Sequence, residues 1–373
     1  MTKAADLANL IGNIKAGGGG VNRNVIINGA MNVAQRGTSF TSVGASATQY
    51  TLDRFMWITG NSAGRLTATQ DSSAPEGFAN SLKFACTTAD TSIAAGEYGI
   101  IQQPIEGQNL QHFAKGTSNA KPYAVSFYVK GNASATYVCE LWDNDTSGNR
   151  QISKTFNVTT DWTRVELSFP ADTTGALDDD NNSSFLFNIW LHGGSTYTGG
   201  TLNSSAWASL TSANRAAGIS SFFDSTDRTF FLTGVQLEVG QNPTTFEHEP
   251  FERTLNKCYR YTQRLPHKDN SSGTGFANIT TMGRNDSTTL CTSGIMLPVV
   301  MRADATMTSS GSFRVHHPNA AVDVTGLAID DNFSTAGNVA INATVSSGLT
   351  AGQGSQLEQN NDVDAHIILS AEL

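Results

Sequence analysis

The sequence predicts an all-β chain with a short N-terminal helix, a jelly-roll β-sandwich and a second, smaller C-terminal β-domain. Three observations lead there. Strand-period alternation recurs through the first two-thirds of the chain, and Gly, Ser, Thr and Asn fill the intervals between alternating runs. Clear helical spacing is confined to the N-terminus. With 35 glycines and 15% charged residues among 373, the composition suits short strands joined by many polar turns better than helical bundles or parallel α/β sheets.

In chain order, residues 2–15 read as a helix. Thr2 can cap it, and Leu7, Leu10, Ile11 and Ile14 form a stripe at helical spacing. A lone helix this short is marginal in water, so its stripe needs a surface to lie on. Gly17-Gly-Gly-Gly20 then acts as a flexible tether, which makes residues 1–20 an attachment helix and linker. Folding back on its own chain is the alternative.

Residues 21–252 read as strand, turn, strand. Val25-Ile-Ile27 precedes an Asn28-Gly29 turn. Val125, Phe127 and Val129 alternate with Ser126, Tyr128 and Lys130, and Tyr137, Cys139 and Leu141 with Val138 and Glu140. Val165, Leu167 and Phe169 alternate with Arg164, Glu166 and Ser168. Phe185, Phe187, Ile189 and Leu191 face away from Leu186, Asn188, Trp190 and His192. The last strand should set Phe231, Thr233, Val235, Leu237 and Val239 against Leu232, Gly234, Gln236 and Glu238, ending at Gly240 and Asn242-Pro243. About eight strands over ~230 residues match a jelly roll with sizeable loops. The stretch 195–218 is the longest loop.

Residues 253–373 form the smaller domain. Residues 253–261 fit a short helix or a strand equally well. Weak strands follow at 295–301, 305–308, 312–316, 321–329, 339–345 and 366–369. Large apolar residues are sparse for ~110 residues, and oligomerisation is the simplest way to support so thin a core.

Charge and cysteines narrow the function. A net charge of −9 without a Lys/Arg cluster argues against nucleic-acid binding. Cys86, Cys139, Cys258 and Cys291 form neither a Cys-x-x-Cys pair nor a zinc pattern and read as buried thiols. No apolar run is long enough for a membrane span, and the N-terminus lacks a signal peptide's apolar core. No cofactor and no metal are expected.

Catalytic chemistry finds little purchase. Glycoside hydrolysis needs two carboxylates, one with a raised pKa. The candidates Glu97, Glu106, Glu140, Glu166 and Asp178-Asp-Asp180 read as strand or loop carboxylates, with Glu140 and Glu166 facing outward. Gly60-Asn-Ser-Ala-Gly64 matches a nucleophile elbow in letters. The alternating Arg65-Leu-Thr-Ala-Thr-Gln70 behind it is not the required helix, so a hairpin turn is the better reading. Asp143-Asn-Asp-Thr-Ser-Gly148 resembles half a calcium loop, but Lys154 stands where the bidentate glutamate belongs, and a polar hairpin turn fits better. His316-His317 could meet around a three-fold axis and hold a metal, a minor alternative. For sugar binding, Trp190 beside Asn188 and His192 suggests an exposed ring on a polar sheet face, with packing under the long loop or against another subunit as the alternative. Arg36, Asp53 and Arg54 could form either a buried ion network or surface pairs.

Several segments carry a family resemblance. Asn24-Val-Ile-Ile-Asn-Gly-Ala-Met-Asn-Val-Ala-Gln-Arg-Gly-Thr38, Tyr50-Thr-Leu-Asp-Arg-Phe55, Gln102-Gln-Pro-Ile-Glu-Gly107 and Ala124-Val-Ser-Phe-Tyr-Val-Lys130 occur in order. Thr233-Gly-Val-Gln-Leu-Glu-Val-Gly240, Phe246-Glu247 and Cys258-Tyr-Arg-Tyr261 continue the series. Together they resemble tail-fibre and virion-appendage proteins of tailed bacteriophages, often phages of marine bacteria. Residues 1–13 resemble the leader of such proteins, whereas after about position 268 only Pro298-Val-Val-Met-Arg302 matches. The resemblance implies a middle domain similar to jelly-roll carbohydrate-binding modules, a homotrimer, and no catalytic motif. The expected protein is a structural virion component made in the host cytoplasm, held to other virion proteins by Leu7, Leu10, Ile11 and Ile14. It would contribute to binding host-surface glycan through Trp190, Asn188 and His192. A polysaccharide depolymerase tailspike and a head or collar decoration protein are the rival readings.

Overall fold

A computed structural model describes residues 2–5, 7, 8, 11, 22–145, 149–267, 274–318 and 320–373. The chain is all-β, and its contacts divide it into two units, residues 1–254 with Leu373, and residues 255–372. The division falls within the helix Phe251–Tyr259, which answers the question that periodicity left open at 253–261.

In the first unit the strands are β1 (Ser39–Val43), β2 (Thr48–Tyr50), β3 (Met56–Gly60), β4 (Arg65–Asp71), β5 (Ser81–Thr88), β6 (Tyr98–Glu106), β7 (Tyr123–Gly131), β8 (Ala135–Asp143), β9 (Arg150–Val158), β10 (Thr163–Phe169), β11 (Ser183–Gly193), β12 (Ala208–Ser209) and β13 (Thr229–Val239). They form two antiparallel sheets, ordered β1-β4-β5-β13-β7-β10 and β12-β9-β8-β11-β6-β3-β2. The strands outnumber the eight expected because the short edge strands β1, β2 and β12 carry no periodicity of their own, and because the inner strands β5, β6 and β9 were not among those read from alternation. One apolar core draws on both sheets. Trp57 of β3 meets Phe84 of β5 edge-on at 5.3 Å across the interface, and Phe127, Phe185 and Phe187 are buried in the same core. Trp207, from the long loop, is buried there too.

The structure revises β13. Its face changes midway, because Gly234 (φ 62°) forms a bulge and the pairing with β7 shifts by one residue between Thr233 and Gln236. Phe230 and Leu232 before the bulge, and Val235, Leu237 and Val239 after it, point into the core, so Phe231 and Thr233 leave the face predicted for them. A second revision concerns residues 25–27, which are not a strand. Val25 N–H donates to the Leu237 carbonyl (3.0 Å) and Val235 N–H to the Gly29 carbonyl (2.9 Å), tying this irregular stretch to β13. A Cβ on Gly29 would stand 2.1 Å from the Val235 oxygen, so only glycine fits.

At the N-terminus, residues 3–5, 7, 8 and 11 are helical, and Leu7 and Ile11 are exposed. Leu10, Ile14 and the glycine tether lie outside the described residues. The Ala5 amide donates to Thr2 Oγ1, the cap the sequence suggested.

The second unit contains β14 (Thr262–Leu265), β15 (Met282–Asn285), β16 (Leu290–Met296), β17 (Thr306–Ser310), β18 (Phe313–His317), β19 (Ala320–Ile329), β20 (Asn338–Val345), β21 (Gly354–Gln359) and β22 (His366–Ser370). Six of them close into an antiparallel barrel, β15-β16-β20-β19-β18-β21, and β14-β22-β17 form a small sheet. Closure removes the sheet edges that such weakly apolar strands would otherwise expose. Phe313, Val315, Ile341, Ala343, Leu357, Ile367 and Leu369 are buried in its core. β14, β15 and β21 had no legible signal; Met-Gly-Arg-Asn, for example, shows no apolar alternation.

Candidate functional site

Alternation placed Leu186, Asn188, Trp190 and His192 on the face of β11 opposite the core, and that assignment holds. Their exposure does not. Asn188, Trp190 and His192 are all 0% accessible, because the chain between β11 and β13 folds back over this face. Tyr197, Leu202, Ala216 and Ile219 of that excursion pack with Trp190, Ile100 and Val138. Trp190 is therefore not an open stacking platform, and packing under the long loop is what the structure shows.

Beneath the excursion lies a polar network. Arg215 makes two 2.8 Å hydrogen bonds to the Glu140 carboxylate, from Nε to Oε1 and from Nη2 to Oε2. Trp190 Nε1–H and Asn188 Nδ2 also donate to Glu140 Oε2, at 2.8 and 2.9 Å, and Gln102 Nε2 donates to Asn188 Oδ1 at 2.7 Å. The guanidinium stacks 4.4 Å from the Trp142 ring and 4.7 Å from that of Trp190. A buried carboxylate needs both a counter-charge and hydrogen bonds, and Glu140 has both. It faces outward from the sheet as predicted, yet it is buried. Arg215 was missed, although it is the one charged residue between positions 193 and 223 and so stands out in the sequence.

At the end of β11, His192 Nε2 lies 3.3 Å from Glu97 Oε2, and its Nδ1 lies 2.9 Å from Ser221 Oγ. Asp90 joins this cluster and accepts hydrogen bonds from Ser62 Oγ (2.9 Å) and the Ala63 amide (2.7 Å). Burial lowers the His192 pKa, with Glu97 pulling the other way. Burial pushes Asp90 up, but the donors from Ser62 and Ala63 outweigh it and hold its carboxyl below the ordinary value.

The remaining sequence candidates sit in turns, sheet crossings and strands of the first unit. Ser62 donates to Asp90, and residues 61–64 carry the chain from β3 in one sheet to β4 in the other. They form a sheet-to-sheet crossing, neither the predicted hairpin nor an elbow. Asp143 pairs with Arg150 across the β8–β9 hairpin, as expected of a polar turn. Its carboxylate contacts Lys115, which also lies 3.0 Å from Asp172, and Arg150 Nε donates to Asp172 at 2.7 Å. Glu166 pairs with Arg164, Glu106 is buried, and Asp178 and Asp179 are exposed. Asp53 and Arg54 are buried: Gln35 N–H donates to Asp53 (2.7 Å), and Arg54 Nη2 donates to the Pro104 carbonyl (2.6 Å).

The second unit presents an open cavity of about 330 Å³, lined by Met282, His316, His317, Pro318, Gly354, Ser355 and Gln356. His316 is half exposed, with Nδ1 3.5 Å from Glu358 Oε1, whereas His317 is buried on the face of Phe313 and Val315.

No family model and no curated protein matches this chain. Among solved structures, a family 4 carbohydrate-binding module is similar at 13% identity and TM-score 0.29, covering 57% of this chain and 97% of its own. A family 30 carbohydrate-binding module is similar at 12% identity and TM-score 0.29, covering 61% and 91%. The enzymatically active domain of tailspike protein 4 of bacteriophage CBA120 is similar at 11% identity and TM-score 0.28, covering 58% of this chain and 21% of that one. At such scores none of them bears on what this chain does.

Proposed function

We propose that this chain is a structural, glycan-binding protein of a tailed bacteriophage, a tail fibre or similar appendage. It joins the particle through its N-terminal segment and reads the host surface with its barrel unit. The observation that carries the reading is a contrast between the two units. The sandwich's polar sheet face is roofed by residues 194–220 and locked by Arg215 and Glu140, whereas the barrel keeps a cavity of about 330 Å³ open beside His316 and Gln356. The sandwich then serves as the body and the barrel as the contact surface. The ordered motifs resembling virion appendages, and the exposed Leu7 and Ile11, support the attachment role.

Binding of the full chain to a host-glycan array tests the recognition half. His316→Ala and Gln356→Ala should each weaken binding about tenfold, the worth of one polar contact; undiminished binding in both overturns it. Deleting residues 1–15 should leave a folded protein missing from the particles, and mutant virions that carry it normally would refute the attachment role.

A depolymerase is the second reading. Against it, Glu140 is neutralised by Arg215, and Glu166 pairs with Arg164. A reducing-end assay on host polysaccharide separates the two, since a binder releases no sugar. Labelling the protein in intact particles distinguishes the tail from the head or collar.

A further inference from the structure

His192 lies about a hundred positions from the Asp90–Glu97 loop, yet each of the three residues places one ligating atom within 4.8 Å of those of the other two, and all three are buried. Asp90 follows β5, in the six-stranded sheet. Glu97 directly precedes β6, and His192 ends β11, both in the seven-stranded sheet. The cluster thus sits where the two sheets meet.

Two features set it apart from an ordinary buried ion pair. The first is charge. Among the described residues, His192 is the one basic side chain in contact with either carboxylate, and the donors to Asp90 from Ser62 and Ala63 are neutral. Two carboxylates against one imidazole leave at least one buried negative charge without a counter-charge, which the neutral donors to Asp90 only partly replace and a bound cation would supply. The second is orientation. Ser221 Oγ holds Nδ1 of His192 at 2.9 Å and also accepts the Phe223 amide, which leaves Nε2 facing the carboxylates. Metal-binding histidines are commonly held this way, with the second ring nitrogen hydrogen-bonded so that the ligating one is aimed.

We propose that Asp90, Glu97 and His192 bind a divalent first-row transition ion of the zinc class. An imidazole nitrogen with two carboxylate oxygens is a donor set such ions accept, whereas Ca²⁺ and Mg²⁺ prefer shells made of oxygen. The ion would join the end of β5 to the ends of β6 and β11 and staple the two sheets together. The site is independent of the glycan-binding role, and its test does not use glycan.

The full chain, stripped with EDTA and dialysed, is titrated calorimetrically with Zn²⁺ and, separately, with Ca²⁺. Saturable 1:1 Zn²⁺ binding is expected, tighter than Ca²⁺, with a melting temperature that rises with Zn²⁺ concentration. Glu97→Gln, close in shape to the native residue, should weaken Zn²⁺ binding at least about tenfold, and Ser221→Ala, a positioning change, about ten- to a hundredfold. Co²⁺ should give visible d–d bands in the native chain that are lost in Glu97→Gln, a readout that surface histidines cannot mimic. Absence of Zn²⁺ binding, equal affinity in Glu97→Gln, or tighter binding of Ca²⁺ than of Zn²⁺ would each overturn the proposal.

Discussion

Trp190 shows what residue-level reading can and cannot deliver. Alternation placed it correctly opposite the core with Asn188 and His192, because strand period alone decides which way a side chain leaves the sheet. Whether that face meets water depends on what lies above it, and residues 194–220 cover it through contacts with no local periodicity. Its buried N–H requires an acceptor, which Glu140 supplies. Arg215→Met should therefore destabilise the protein by about 3–5 kcal/mol, because it strands the Glu140 charge in the interior. Adding Glu140→Gln should restore much of that loss, which urea melts of the four members of the cycle would measure. The Lys115–Asp143–Asp172–Arg150 group gives a pH prediction. Burial raises the Asp172 pKa, but Arg150 and Lys115 outweigh it and hold the carboxyl below its ordinary value. A carboxylate with a lowered folded pKa stabilises above its unfolded value of about 3.9, and that contribution disappears as pH falls through the folded pKa. The gap in stability between the native protein and Asp172→Asn should therefore be wide near neutral pH and narrow in acid; denaturant melts giving a pH-independent gap would contradict this.

At the scale of elements, the long alternating strands β7, β8, β10 and β11 were legible because in each of them one face enters the main core and the other does not. β13 was legible as a strand, but its register was not. A bulge inserts one residue and exchanges the two faces beyond it, and nothing in Phe231-Leu-Thr-Gly-Val-Gln marks that exchange except the glycine. A Cβ at Gly234 would stand 2.8 Å from the Phe78 ring, at a φ of 62° that side chains resist. Gly234→Ala should cost at least about 2 kcal/mol, measured by thermal or urea melts. An unchanged midpoint would mean that the bulge can relax. The helix Phe251–Tyr259 was ambiguous for a different reason: nine residues give too few turns for a periodic pattern to separate helix from strand.

At the scale of the whole molecule, the barrel unit leaves large apolar side chains in solvent, with Met296 84% and Met282 71% exposed. With the thin core expected of this region, that motivates adding to our proposal the homotrimer that the family resemblance implies. Light scattering after size exclusion should find an oligomer at micromolar concentration, and a clean monomer would remove that part of it. The sequence alone determined the all-β class, the strand-rich first unit, the main strand faces and the weakly apolar character of the last third, because period, turn chemistry and composition are local properties. Tertiary structure decided which sheet each strand joins, that the second unit closes into a barrel, that the polar face of β11 is roofed, and that Asp90, Glu97 and His192 meet. Those outcomes depend on pairings between residues tens to hundreds of positions apart, and no local pattern records them.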